Sequence, residues 1–198
     1  MQTKTIYLIR HAQPHYPGGA RMCLGQSCDL PLSAYGHAQA QMLRRFFADK
    51  RLDAVYSSPL LRARQTAEVI ADTPLVIMDN LIELDGGEWD GMPFSLLHEK
   101  YPQYFVPGAR LTCPPGGESD EDGILRARAA LEIIAARTQR CAAAVAHGAL
   151  NRLILCAVSG RPFSQKKQFG QEHGCVNILT CTGSVWRAEA INIKAEDL

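Results

Sequence analysis

The stretch Lys4-Thr5-Ile6-Tyr7-Leu8-Ile9-Arg10 decides the fold. It is short, β-rich and nearly continuously apolar, the pattern of a strand covered on both faces in a mostly parallel sheet. A Pro- and Gly-dense stretch, Pro14 to Gly25, ends the run. Ser33 then stands as N-cap of a helix over 34–49, with Ala38, Met42, Phe46 and Phe47 at helical spacing. Residues 53–57 read as a second strand, with Ser58-Pro59 as cap and first turn of a helix to Ala71. Residues 75–78 form a third strand. Further on, the pattern predicts a helix over 119–140, a buried strand over 142–146 and a helix over 150–159. A closing hairpin of 176–182 and 185–193 turns at Thr182-Gly183. This alternation predicts an α/β fold, a three-layer α/β/α sandwich around a mostly parallel central sheet.

Between Asn80 and Gly117 the periodicity lapses, broken by Gly86, Gly87, Gly91, Pro93, Pro102, Pro107, Pro114 and Pro115. Only a short helix over 95–100 is expected inside it. Long irregular segments in compact domains are often functional. The chain is therefore read as one domain, residues 1–198, with a loop-rich insertion at about 80–117 that covers the active site.

The 198 residues carry 21 Lys+Arg against 20 Asp+Glu, a formal charge of +1, with 46% apolar and 21% charged residues. Those are the proportions of a soluble globular protein. A near-zero charge argues against a nucleic-acid partner, which calls for a basic excess, and against a membrane surface. No apolar run approaches the ~20 residues of a membrane span, and Ile6 to Ile9 is too short for a signal-peptide core. The expected location is cytoplasmic. Seven cysteines, an odd number, fit reduced thiols. Cys23-x4-Cys28 and His173-x-Cys175 lack the second ligand pair that a metal would want, so neither a metal nor a cofactor is expected.

In such sheets ligands bind beyond the carboxyl ends of the strands. Arg10-His11 ends the first strand, Ser57-Ser58-Pro59 follows the second, His147-Gly148 follows the strand over 142–146, and Arg62 lies one turn past Pro59. Two histidines and two arginines thus converge on one edge. A neutral imidazole attacks phosphorus and divides one displacement into two. Arginine forks suit phosphate, and a helix opening at Gly148 adds backbone donors. A carboxyl group must protonate the leaving alcohol and later deprotonate a water. Residues 81–91 offer four, Glu83, Asp85, Glu88 and Asp90.

Six blocks occur in order: TIYLIRHAQ (5–13), GQSCDLPLSAYG (25–36), SSPLLRARQTA (57–67), LIELDGGEWDG (81–91), GGES (116–119) and VAHGALNR (145–152). Together they resemble the histidine phosphatase superfamily, the phosphoglycerate mutase-like group, over nearly the whole chain. The resemblance implies a metal-independent phosphomonoesterase with a phosphohistidine intermediate. It places the nucleophile at His11, the phosphate pocket at Arg10, Arg62 and His147, and the acid/base at Glu83. Gly148, Gln13 and Gln26 join the expected substrate-binding set, and the partner is a small phosphate ester, with a homodimer left open.

The departures are specific. Ala12 stands where the family has glycine, tolerable unless the turn needs positive φ, and Gln13 stands where it has an acid. Pro17 replaces an asparagine of many mutases, which favours a phosphatase over phosphoglycerate mutase-type transfer. An inactive phosphate-binding protein is a further alternative. Residues 23–32 resemble the signature of α-ribazole phosphatase-like members, making α-ribazole 5′-phosphate a candidate substrate. His15, His37, His98 and His173 are assigned structural or surface roles, and Trp89 that of anchor for its own loop.

Overall fold

The computed structural model describes residues 2–106 and 113–198. Its strands are β1 (Thr3–Arg10), β2 (Val55–Ser57), β3 (Leu75–Ile77), β4 (Cys141–Ala146), β5 (Val176–Thr182) and β6 (Val185–Ile193). Its α-helices are α1 (Ala34–Phe47), α2 (Leu61–Ile70), α3 (Phe94–Lys100), α4 (Asp120–Arg137) and α5 (Gly148–Val158). One six-stranded sheet runs in the order β3-β2-β4-β1-β5-β6. The β3–β2, β2–β4 and β4–β1 pairings are parallel, and β5 and β6 add an antiparallel edge. The predicted α/β sandwich and every predicted strand are present.

Alternation along the central strands builds two cores. Ile6 and Leu8 of β1, with Ala142, Ala144 and Ala146 of β4, pack under Ile134, Leu150 and Ile154 from α4 and α5. Ile9, Ala143 and Val145 face the other way, against Leu43, Phe47, Ala63 and Ala67 from α1 and α2. A strand covered on both faces has no place for a polar residue until it ends. Arg10 and His11 are where β1 leaves the sandwich.

Helix starts follow local chemistry. Ser33 Oγ accepts from the Gly36 N–H at 3.0 Å, and Ser119 Oγ from the Asp122 N–H at 3.1 Å; both are N-cap bonds. The predicted Ser58-Pro59 cap is corrected. α2 begins after Leu60, which has no capping side chain, and the Asp29 carboxylate accepts from the Leu61 N–H at 2.8 Å instead. A remote acid stabilises this helix start by charge as well as by hydrogen bonding. Within the insertion, the expected short helix is α3. The break expected at Pro107 lies outside the described residues. Among the described residues no helix is long and apolar enough to cross a membrane.

Candidate active site

Parallel register carries the candidate residues to one edge. Arg10 pairs with Ala146, and Ser57 with Val145. The next residue of each strand, His11, His147 and Ser58, therefore leaves the sheet side by side. The His11 N–H donates to Ala146 O at 3.0 Å and the Ser58 N–H to Val145 O at 3.0 Å. The rings of His11 and His147 lie 5.1 Å apart.

His11 is 3% exposed, and its Nδ1 stands 2.8 Å from the carbonyl oxygen of Ala12. A carbonyl only accepts, so Nδ1 carries the hydrogen and Nε2 keeps its lone pair. Burial, then the Arg62, His147, Arg10 and His173 charges, hold the His11 imidazolium well below its ordinary range. The ring is a neutral base of fixed tautomer. Ala12 itself adopts no strained conformation: among the described residues the only non-glycine with positive φ is Asn192. Its N–H donates to Thr66 Oγ1 at 3.0 Å, while the Thr66 hydroxyl donates to Arg62 O at 2.8 Å, tying the turn after β1 to α2.

Arg62 is fully buried. Its Nη1 donates to Cys28 O at 3.1 Å and its Nη2 to Gly25 O at 3.0 Å, with Asp29 Oδ1 at 3.5 Å from Nη1. Arg10 gives its Nη1 to the Gln171 carbonyl and its Nη2 to His173 Nε2 at 2.8 Å. Burial lowers both guanidinium pKa values, yet arginine stays charged in proteins. His147 has no exposed surface; its Nε2 lies 2.7 Å from Ser58 Oγ. Burial, then Arg62, Arg10 and Arg126, hold its pKa well below the ordinary value. Arg10 Nε, Arg62 Nε and His147 Nδ1 are all buried and without a hydrogen-bond partner among the described residues. Orphaned buried donors are rare and costly.

Glu83 is 8% exposed, and its carboxylate caps α5. Oε1 accepts from the Leu84 and Leu150 N–H groups at 2.9 and 3.0 Å, and Oε2 from the Ala149 N–H at 3.0 Å. Its rivals are occupied elsewhere: Asp85 Oδ1 accepts from the Gly87 N–H, and Glu88 from the Tyr101 hydroxyl. Gly148 opens the helix against the Arg10 guanidinium. Gln26 reaches the site through the backbone, its Nε2 donating to Glu83 O at 2.9 Å. The Gln13 N–H donates to Gln39 Oε1 at 3.0 Å, and Gln13 lines a cavity of about 370 Å³ shared with Tyr35, Gln39 and His173. A larger cavity, about 840 Å³ and bordered by Lys4, Leu131 and Trp186, holds none of these residues.

Two neighbours of the candidate residues, His173 and Arg126, were not singled out by the sequence, and Ser58, placed by it at the strand edge, gains a partner. His173 was assigned a structural or surface role; its ring lies 5.4 Å from that of His11 and bonds Arg10. Ser58, read as a helix cap, partners His147. Arg126 of α4 donates to Asn80 O, Ile82 O and Glu83 O and forms a bidentate pair with Glu118, at 2.6–3.1 Å. A lone helical arginine gives no sequence signal for this. Trp89 does anchor its loop, stacked 5.7 Å from Phe105 and edge-on to Tyr104 at 4.8 Å.

The histidine phosphatase superfamily (branch 1) family model matches residues 6–194. Phosphoserine phosphatase 1 of Hydrogenobacter thermophilus is 31% identical over 182 residues, covering 88% of this chain and 85% of its own. The YhfR structure of Bacillus stearothermophilus superposes with TM-score 0.86 at 25% identity, covering 94% of this chain and 96% of that one. The α-ribazole phosphatase structure from Shigella flexneri shares the fold with TM-score 0.81 at 23% identity, covering 95% and 96%. The chain belongs to the histidine phosphatase superfamily and is a phosphoric monoester hydrolase.

Proposed function

We propose that the chain hydrolyses a small phosphorylated metabolite through a phosphohistidine on His11, without a metal ion. One observation carries the reading: among the described residues three buried nitrogens, Arg10 Nε, Arg62 Nε and His147 Nδ1, lack partners around an imidazole whose Nδ1 holds the hydrogen and whose Nε2 keeps its lone pair. A phosphoryl group supplies the acceptors those donors lack, and two guanidiniums supply the positive charge its transition state needs.

In the first step His11 Nε2 attacks phosphorus, the P–O bond to the alcohol breaks, and Glu83 gives the leaving oxygen its proton. In the second, Glu83 takes a proton from water, the water oxygen attacks phosphorus, and the P–N bond breaks to free His11. Of the roughly four acceptor positions on a carboxylate, three are filled by backbone N–H groups, and the remaining one is on Oε2. Oε2 is therefore the oxygen that carries the proton. For His147 Nδ1 to donate, the Ser58 hydroxyl must donate to Nε2. The described part of the insertion, 80–106 and 113–117, belongs to the single domain and covers the site, held by Asp90 accepting from the Ser27 N–H at 2.7 Å. Seven free thiols accord with a cytoplasmic setting.

Acid-quenched protein incubated with labelled phosphate ester is expected to hold phosphate on His11. Full EDTA-resistant turnover by His11→Ala would overturn the mechanism. For the substrate, residues 23–32 favour α-ribazole 5′-phosphate, whereas the relative at 31% identity favours phosphoserine. Comparing kcat/KM for the two esters decides, and a clear preference for phosphoserine removes the first choice.

A further inference from the structure

His173, expected from the sequence to be structural or at the surface, sits on a turn keyed to the strand that carries His11. The Gly174 N–H donates to Arg10 O and His11 O at 3.2 and 3.1 Å. Gln39 Nε2 donates to His173 O at 3.0 Å. Below the turn, buried Gln171 bonds Asn177, whose Nδ2 donates to Leu8 O at 2.9 Å. Residues 171–174 are thus fixed to β1 by side chains and backbone alike.

From this fixed turn two acceptors reach Arg10. The Gln171 carbonyl takes Nη1 and His173 Nε2 takes Nη2. A guanidinium has donors only, so His173 Nε2 is the acceptor and Nδ1 bears the ring hydrogen. Two contacts on two different nitrogens fix both the plane and the rotation of the fork. Arg10 Nε, on the edge that it shares with Nη2, is buried and has no partner among the described residues.

We infer that His173 is a positioning residue for phosphoryl transfer, its Nε2 accepting from Arg10 Nη2 so that the guanidinium presents its Nε–Nη2 edge to the phosphoryl group. The inference rests on Arg10 belonging to the phosphate pocket proposed above. Imidazole suits the task because it orients the guanidinium without cancelling its charge, as a carboxylate would. Burial and the Arg10, Arg21 and Arg62 charges push its pKa down to about 2, so the ring remains an acceptor throughout the working range.

The test compares full-length wild type with His173→Leu, His173→Met and His173→Gln. Readouts are orthophosphate affinity by calorimetry, kcat/KM on p-nitrophenyl phosphate, and the thermal midpoint. Loss of a charge-assisted bond predicts that Leu and Met each weaken phosphate binding and kcat/KM by about 10- to 100-fold. Gln places Oε1 near the Nε2 position and is expected to recover to within about threefold of wild type. Wild-type affinity and turnover in Leu or Met overturns the inference. So does a folded Gln variant as impaired as Leu or Met, because packing would then be the whole effect. Acid-quench labelling separates this from the mechanism: unlabelled wild type whose phosphate affinity still depends on His173 defeats the phosphohistidine and leaves the positioning role standing.

Discussion

A Cβ built on Gly148 would stand 3.1 Å from Arg10 Nε and 3.2 Å from its Cζ. The first residue of α5 is thus the floor under the guanidinium. Arg10 has little room to yield, because the Gln171 carbonyl and His173 already hold its two amino nitrogens. Gly148→Ala is expected to lower kcat/KM by tenfold or more, about 1.4 kcal/mol of lost transition-state stabilisation. Moving a guanidinium pinned by two contacts costs stability, which the helix preference of alanine over glycine, up to about 1 kcal/mol, offsets only in part, so the thermal midpoint should fall modestly. Wild-type orthophosphate affinity and kcat/KM in the folded variant would show that the guanidinium is not displaced.

Ser58→Ala removes the partner of His147 Nε2 and, with it, the acceptor of the Leu60 N–H at 3.3 Å just before α2. A buried imidazole nitrogen loses its hydrogen bond, a cost of about 1–3 kcal/mol, measurable by urea denaturation. Without the serine hydroxyl nothing holds the Nδ1–H tautomer of His147, so phosphate affinity should fall with kcat/KM. Ser58→Thr retains the hydroxyl and is expected to recover most of both. Unchanged phosphate affinity in Ser58→Ala would remove the serine from the site.

The histidine cluster makes stability fall in acid. His11 and His147 are held well below their ordinary pKa, and His173 is pushed down to about 2. In the unfolded chain each protonates near 6.5. Below about pH 6.5, and until the folded values are reached, the unfolded state binds more protons, so stability declines as pH falls. Each histidine contributes a slope of about 1.4 kcal/mol per pH unit in that window. Thermal midpoints measured from pH 7.5 to 5.0 should drop, and more shallowly in His147→Gln, which has one such group fewer. Parallel profiles for the two proteins would contradict the burial of a neutral His147.

What the sequence made readable was the set of residues that follow strands. β1 is apolar from Ile6 to Ile9 and β4 from Cys141 to Ala146; they then stop at Arg10-His11 and His147-Gly148, and parallel pairing brings such endings together whatever the loops do. His173 had no comparable mark. It precedes β5 by three positions, and only the antiparallel pairing of Ile9 with Val176 brings its turn beside Arg10, a residue 163 positions away. The start of α2 was misread for the same kind of reason, because its acceptor, Asp29, lies 32 residues upstream of Leu61. Local pattern located the strand ends; long-range pairing decided what supports them.

Arg126 separates the two halves of the chemistry. Its guanidinium holds the carbonyls of Asn80, Ile82 and Glu83 and the Glu118 carboxylate; among the described residues it makes no hydrogen bond to Arg10, His11, Arg62 or His147 and reaches His147 only through its charge. Arg126→Met keeps much of the aliphatic stem and removes every one of those donors, leaving Glu118 unpaired and partly buried, a loss of about 3 kcal/mol or more. The segment that carries Glu83 should shift while the phosphate pocket stays assembled. Orthophosphate affinity is therefore expected to remain within about threefold of wild type, and kcat to fall by about 10- to 100-fold, in the range of an acid/base contribution. Phosphohistidine should still form with a good leaving group such as p-nitrophenol, whose departure needs no proton, and should accumulate because water activation is slowed. A variant that loses phosphate affinity as steeply as kcat would mean that Glu83 and the pocket are positioned as one unit.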